Sequence, residues 1–391
     1  MPFGRLSMRC VPRPERLLPA SPRRRDSRRR WVGLGSLLLL ICFYGRFAMA
    51  DEHVRIQGLS DAEIWNTDPG FSRLTRDEGD TAPLGRLRLW AIGDFAKGLQ
   101  GFALGEVEGG RGSEDGERDT ELRQAYLRYS FSSPKRLVLQ AGKLTLPYGN
   151  FSRRYFSSSN PLIGSPSNYP ISYPLGIQIS GAISRFDFMA AVLDGPLTRQ
   201  YYDSEPESSP RPALMVGVTP MTGMRIGGYF TQGEYLEKIG QNWLLPGDRI
   251  GEFHEKVLGL DLQFSMGHFE LNSEMTQARL EVPYAGDARG RIYYAEPKYT
   301  FSPRWYAALR YERGDLPDAY WVMNAIWSPE HRKVHDLEAG AGFRVSPGLL
   351  VKASYRTEID HGDGTGELEG HAVALQLSYT FDINSWLERP R

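Results

Sequence analysis

From residue 53 onward apolar and polar residues alternate with a period of two, in segment after segment, and no comparable pattern recurs every 3.6 residues. That period places one set of side chains on each face of a strand, so the chain is committed to sheet. Between 257 and 266, Leu258, Leu260, Leu262, Phe264 and Met266 share one face, while Gly259, Asp261, Gln263 and Ser265 share the other. Residues 304–312 oppose Trp305, Ala307, Leu309 and Tyr311 to Arg304, Tyr306, Arg310 and Glu312. The last such segment opposes Val373, Leu375, Leu377, Tyr379 and Phe381 to Ala374, Gln376, Ser378 and Thr380.

The pattern predicts 16 strands, at 53–64, 85–94, 99–108, 121–131, 135–143, 174–183, 185–194, 212–219, 223–233, 254–266, 268–281, 289–300, 303–313, 335–345, 348–358 and 370–382. Their connections alternate in length. Short ones fall at Ser132–Pro134, Ser184, Pro220–Thr222, Gly267, Ser302–Pro303 and Ser346–Pro347. Long ones fall at 65–84, 109–120, 144–173, 195–211, 234–253, 282–288, 314–334 and 359–369. An even number of strands with short turns at one end and long loops at the other is the arrangement of outer-membrane barrels. A soluble sandwich or propeller is the competing architecture. No blade repeat is visible. The polar faces are rich in Arg, Glu, Gln and Gly, as a wet lumen requires, and the apolar faces end in Tyr, Trp and Phe, as interfacial girdles require. The reading is an all-β, transmembrane, antiparallel up-and-down barrel embedded in outer-membrane lipid.

The N-terminus supports that location. Arg23–Arg30 is a basic region, Trp31–Tyr44 an apolar one, and Ala48-Met49-Ala50 a small-x-small cleavage site. Residues 1–50 are therefore expected to be a cleaved signal peptide and 51–391 the barrel. The apolar stretch is shorter than the roughly 20 residues of a spanning helix, and no run of 18 apolar residues follows it. A closed barrel remains the one way for such a chain to cross a bilayer with every backbone group paired. The formal charge of zero hides an asymmetry: residues 51–391 hold 36 basic and 45 acidic residues. That balance gives no sign of nucleic-acid binding. Both cysteines, Cys10 and Cys42, lie in the leader, so disulfides and Cys-ligated metal or haem sites are excluded from the mature chain. No G-x-S-x-G, H-E-x-x-H or Walker motif appears, and the reading is a non-enzyme without metal or cofactor.

The longest interval without clear alternation is Leu144–Pro174. A structureless stretch of this length in a compact domain is usually functional or disordered. Its aromatics, Tyr148, Phe151, Tyr155, Phe156, Tyr169 and Tyr173, argue against disorder. It contains no Asp or Glu and carries Arg153 and Arg154. It is the third long loop, and it is expected to fold into the barrel and narrow the pore, with Lys143, Arg153, Arg154 and Tyr155 at the constriction.

Gln140-Ala141-Gly142-Lys143, followed by Pro147-Tyr148-Gly149, resembles the strand-to-loop segment of the bacterial outer-membrane general and phosphate-selective porins, and Leu175–Gly195 resembles the hairpin that follows it there. The resemblance covers roughly residues 121–195. It implies a third loop that carries basic residues into the pore and association as a homotrimer.

For a pore the chemistry is selectivity, set by bore and by charges lining a constriction. Alternation points Arg86, Arg88, Arg128, Arg185, Arg225, Arg304, Arg310, Arg344, Lys352 and Arg356 into the lumen, with Asp187, Asp261, Glu270, Glu274, Glu296, Glu312, Glu338 and Glu358. Either these pair across strands, or the early arginines and the later acids, Asp261, Glu270 and Glu274 among them, form one basic and one acidic wall. The leading functional expectation is a porin for small hydrophilic solutes or ions with weak anion preference. A second is a sheath around a periplasmic multihaem cytochrome supplied by another chain. A third is a surface receptor or adhesin working through loops 234–253 and 314–334.

Overall fold

The computed structural model describes residues 54–384, apart from 69–80, 111–118, 132–135, 167–171, 196–209, 237–240, 242–243, 323–325 and 363–365. The expected leader lies outside the described residues. The strands are β1 (Val54–Thr67), β2 (Thr81–Ala96), β3 (Leu99–Gly110), β4 (Asp119–Ser130), β5 (Val138–Lys143), β6 (Leu175–Ile183), β7 (Phe186–Asp194) and β8 (Pro210–Met221). The second half continues with β9 (Met224–Glu234), β10 (His254–Met266), β11 (Phe269–Val282), β12 (Gly286–Thr300), β13 (Trp305–Val322), β14 (Ile326–Ser346), β15 (Leu349–Gly362) and β16 (Gly366–Asp382). Each strand pairs antiparallel with its neighbours in sequence, and β1 closes on β16 from Gln57↔Asp382 to Thr67↔Ala372. Closure removes the two open edges that a sheet of this size could not expose to hydrocarbon. Asn384 fastens the seam just past the last strand, accepting from Ile56 N at 2.7 Å and donating to Val54 O at 2.9 Å.

Inside and outside follow from the period of two. On β10, Leu258 and Leu260 are 56% and 54% exposed toward lipid, while Val257 and Asp261 on either side of them are buried in the lumen. Rings gather at the turn end of the outer face, where Trp305 meets Phe343 at 4.5 Å and Tyr299 meets Phe301 at 5.1 Å. Toward the other end Tyr293 and Tyr311 pair at 6.3 Å. Two rows of amphipathic rings bounding an apolar band are what the two interfaces of a bilayer select.

The predicted strands agree with the observed ones apart from their ends: most outer ends run further, so that the connection expected at 282–288 is only a turn over 283–285, and β5 is shorter, starting at Val138. The clearest correction concerns 314–334, expected as a loop. β13 and β14 continue as a ladder through Pro317↔His331 and Ala319↔Pro329 to Val322↔Ile326. Its prolines and charges break the alternation that marks a membrane strand. They are tolerated because β12 leaves β13 at Gly314 and β15 leaves β14 at Arg332, so each strand of the hairpin has a free side where a missing N–H costs nothing. For the same reason 359–369 is largely hairpin, with β15 reaching Gly362 and β16 starting at Gly366.

Candidate functional site: a loop laid across the lumen

The connection between β5 and β6, here termed L3, starts with Leu144 N donating to Pro174 O at 2.8 Å, which closes its base. Two glycines of the resembling segment set its course. Gly142 has φ +137°, and a Cβ there would lie 2.2 Å from Ala125 O. Gly149 has φ +57°, the left-handed turn that brings the chain inward before the short 3-10 turn Phe151–Arg153.

L3 is held first by an apolar contact inside the barrel. Leu146, Tyr148 and Phe151 cluster with the lumen-facing Ala191 and Leu193 of β7, Ala213 and Met215 of β8, Tyr229 of β9 and Val257 of β10. Each large side chain buried in this way contributes about 1.5–3 kcal/mol. Tyr148 packs at a tilt against Tyr229, centroids 4.6 Å apart, Tyr229 Oη lies 2.5 Å from Thr276 Oγ1, and burial pushes the Tyr148 phenol pKa up.

Beyond Phe151 the attachments become polar and reach the far wall. Glu274 of β11 accepts from Asn150 N at 2.9 Å, Phe151 N at 2.8 Å and Tyr294 Oη at 2.7 Å. Arg154 pairs with Glu296 of β12. Ser157 donates to Asp61 of β1. Glu338 of β14 accepts from Ile163 N at 3.2 Å and Gly164 N at 3.0 Å. Lys352 of β15, 1% exposed, donates to Ser157 O at 2.9 Å and to Asn160 O and Leu162 O at 3.0 Å each. Arg310 of β13 binds Glu296 at 2.5 Å, Gly164 O at 2.8 Å and Asn160 Oδ1 at 3.0 Å. L3 therefore crosses the lumen and is tied to β1 and to β11–β15. It donates backbone N–H to wall carboxylates and accepts wall cations on its carbonyls, so its own lack of acids is matched by the wall.

The predicted constriction residues separate into different roles. Tyr155 is in the lumen and accepts from Arg88 Nη2 at 3.0 Å. Arg153 is exposed, with Nη2 3.4 Å from Met215 Sδ. Arg154 was expected as a pore charge, but Glu296 neutralises it and the Phe151 ring covers its guanidinium at 5.2 Å. Lys143 is not at the constriction. It sits at the end of β5 opposite Ala125 and the lipid-facing Leu175, and its ammonium goes to Glu121 at 3.1 Å and Leu122 O at 2.7 Å.

The pore-lining residues are rearranged as well. Arg128 is exposed on the lumen face between Gln100 and Gln140. Arg185 lies in the β6–β7 turn, donating to Pro220 O at 3.0 Å, and does not line the wall. The other early arginines do not form a basic wall. Arg86 binds Glu108 at 2.6 Å and Glu63 at 3.3 Å; Arg88 binds Glu106 at 2.5 Å and Asp61 at 3.1 Å; Arg225 binds Asp187 at 2.7 Å and Asp261 at 2.6 Å. Glu270 pairs with Lys298 at 2.8 Å, and Glu274 is spent on L3. Opposite charges alternate around the lumen in place of two walls, because charges this dry persist only in pairs. Asp61, Glu63, Glu106, Arg123 and Asn160 went unrecognised. The signal was legible in part: Asp61 with Glu63, Arg86 with Arg88, and Glu106 with Glu108 are doublets spaced by two on three successive strands.

A closed 16-stranded antiparallel sheet, apolar outside, with a long loop laid inside it, defines the class of Gram-negative outer-membrane β-barrels. No protein-family model matches the chain, and no curated protein matches it. Solved structures do. An anion-selective porin from Comamonas acidovorans is similar with a TM-score of 0.58 at 13% identity, over 84% of this chain and 99% of that one. OmpT, an outer membrane protein of Vibrio cholerae, is similar in its loop L8 deletion mutant with a TM-score of 0.57 at 12% identity, over 84% and 99%. Its in-vitro folded trimer form gives 0.55 at 10% identity, over 84% and 99%. At such identities the likeness is one of fold.

Proposed function

We propose that the protein is a porin through which small hydrophilic solutes and ions diffuse past L3, with weak anion preference. The observation that carries this reading is the state of L3. Most of the groups that anchor it are buried, while Arg153, Ser158 and Ser159 are exposed, so the loop presents one guanidinium and two hydroxyls to passing solute. Arg128 adds a second accessible cation on the lumen wall. Fixed charge governs permeation where the bore is narrow and screening is weakest. The bulk acidity of the chain is largely consumed in ion pairs and hydrogen bonds to L3. The anion-selective porin from Comamonas acidovorans and the trimer form of OmpT support the same reading and a trimeric assembly. The sheath reading is weaker, since L3 occupies the space a cytochrome would need.

The test is conductance of the purified barrel in planar bilayers, with reversal potentials in a potassium chloride gradient. The expected result is open channels with a modest anion preference that Arg153→Glu abolishes or reverses. A barrel that inserts but conducts nothing would overturn the porin reading. Conductance with an unaltered preference in Arg153→Glu would overturn the role of L3.

A further inference from the structure

We propose that the outward face of β11–β14, just above the outer row of aromatic residues, is a binding site for the phosphorylated headgroup of an outer-leaflet glycolipid. Alternation fixes which side chains face outward. Tyr294, Glu296, Arg310 and Glu338 touch L3 inside the barrel, so Arg289, Arg291, Arg313, Lys333 and His335 project from the other surface. Register brings them together: Arg279 faces Arg289, Tyr293 faces Arg313, Arg313 faces His335, and Asp315 faces Lys333. Arg289, Arg291, Arg313, Lys333 and His335, with Asp315, line a groove of about 850 Å³.

Height decides what the groove meets. Arg313 lies eight residues beyond Trp305 of the turn-end aromatic row. At about 3.3 Å per residue and a tilt near 40°, that is a rise of roughly 20 Å, close to the top of an apolar band about 25 Å tall. Below the basic residues stand Tyr293, Tyr311, Leu309 and Leu337, the last two each 40% exposed, a surface fit for acyl chains. His335 packs edge-on against Tyr311 at 5.4 Å. Long basic side chains at this level snorkel toward headgroups.

Charge decides which headgroup. Asp287 pairs with Arg279 at 2.7 Å and Arg289 at 3.0 Å. Among the described residues Arg291, Arg313 and Lys333 make no ion pair. On the opposite side of the barrel Ile64, Val107, Leu122, Leu175, Val192 and Leu214 are exposed on the outward face, and Lys143, opposite Leu175, is paired with Glu121 at 3.1 Å. The basic groove is thus a local feature of one wall. Planar guanidinium forks match phosphate oxygens two at a time. A second copy docked on this face about a two-fold axis would set arginines against arginines, and like charges in contact disfavour that association.

The test uses the full-length barrel purified in detergent, with bisphosphorylated lipid A, the same lipid after phosphate removal, and inorganic phosphate. Retention is read by native mass spectrometry, for the wild type and for the triple variant Arg291→Gln, Arg313→Gln, Lys333→Gln. The wild type is expected to retain the bisphosphorylated lipid, and the triple variant and the dephosphorylated lipid to lower retention about tenfold or more. Millimolar inorganic phosphate is expected not to displace the lipid, because it lacks the acyl chains. Channel conductance is expected to stay unchanged, which separates this result from the pore reading. Equal retention by wild type and variant, equal retention of both lipids, or displacement by free phosphate would overturn the proposal. So would a change of oligomeric state in the variant, since a second copy would then cover the face. Should the triple variant not fold, retention by the wild type must still fall from low to high salt. Salt-independent retention would overturn the assignment.

Discussion

Lys352→Met isolates the force that holds L3 in place. The Lys352 ammonium has three protons, and the structure uses all three on Ser157 O, Asn160 O and Leu162 O, at 2.9, 3.0 and 3.0 Å. Hydrogen bonds to a charged donor contribute about 1.5–3 kcal/mol each. Their sum overstates the effect, because methionine also relieves the cost of burying an ammonium, itself several kcal/mol. The remaining loss comes from three carbonyls without a donor, and L3 can relieve it by lifting away to admit water. A net of about 3 kcal/mol against the docked loop is expected, roughly a hundredfold shift toward released conformations. The strands do not depend on this contact, so the barrel should still fold. Single-channel recording should show a larger mean conductance or pronounced flicker where the wild type is steady. Lys298→Met, which breaks the pair with Glu270 and the cation–π contact with Tyr306 at 5.2 Å but removes no hydrogen bond to L3, should leave the record quiet. A folded Lys352→Met barrel with wild-type conductance and noise would refute the claim that this cradle docks L3.

Three further outcomes follow from the same geometry. Arg154→Glu should behave unlike Arg153→Glu: it sets a carboxylate against buried Glu296 and removes a paired cation, a loss of about 3–5 kcal/mol that proteolysis within L3 would register as faster cleavage. Leu260→Arg, on the lipid face, should cost about 2–4 kcal/mol and impair refolding into vesicles, whereas Gln263→Arg on the lumen face should refold normally; equal yields would show the strand register to be wrong. Gly259→Val should dislodge Tyr229, since a Cβ there falls 1.9 Å from the ring, and should lower stability by about 1–3 kcal/mol, checked by denaturant-induced unfolding.

The sequence by itself determined the barrel. A period of two is local, and once one face must meet lipid it fixes strand positions, the even count and the inward side of each residue, as Leu260 against Asp261 shows. L3 too was visible as Leu144–Pro174, because the alternation stops there while the aromatics do not. What the sequence could not decide was pairing at a distance. Arg154 and Glu296 are 142 residues apart, Lys352 and Ser157 are 195 apart, and no local pattern ties them. Alternation says that a charge faces inward; only the closed sheet says which opposite charge stands beside it. That is why the expected basic wall became a ring of pairs and why Lys143 and Arg154 lost the roles assigned to them. The same limit hid the hairpin above Gly314. Its ladder is paid for by partner strands rather than by a lipid face, so it leaves no apolar stripe to read.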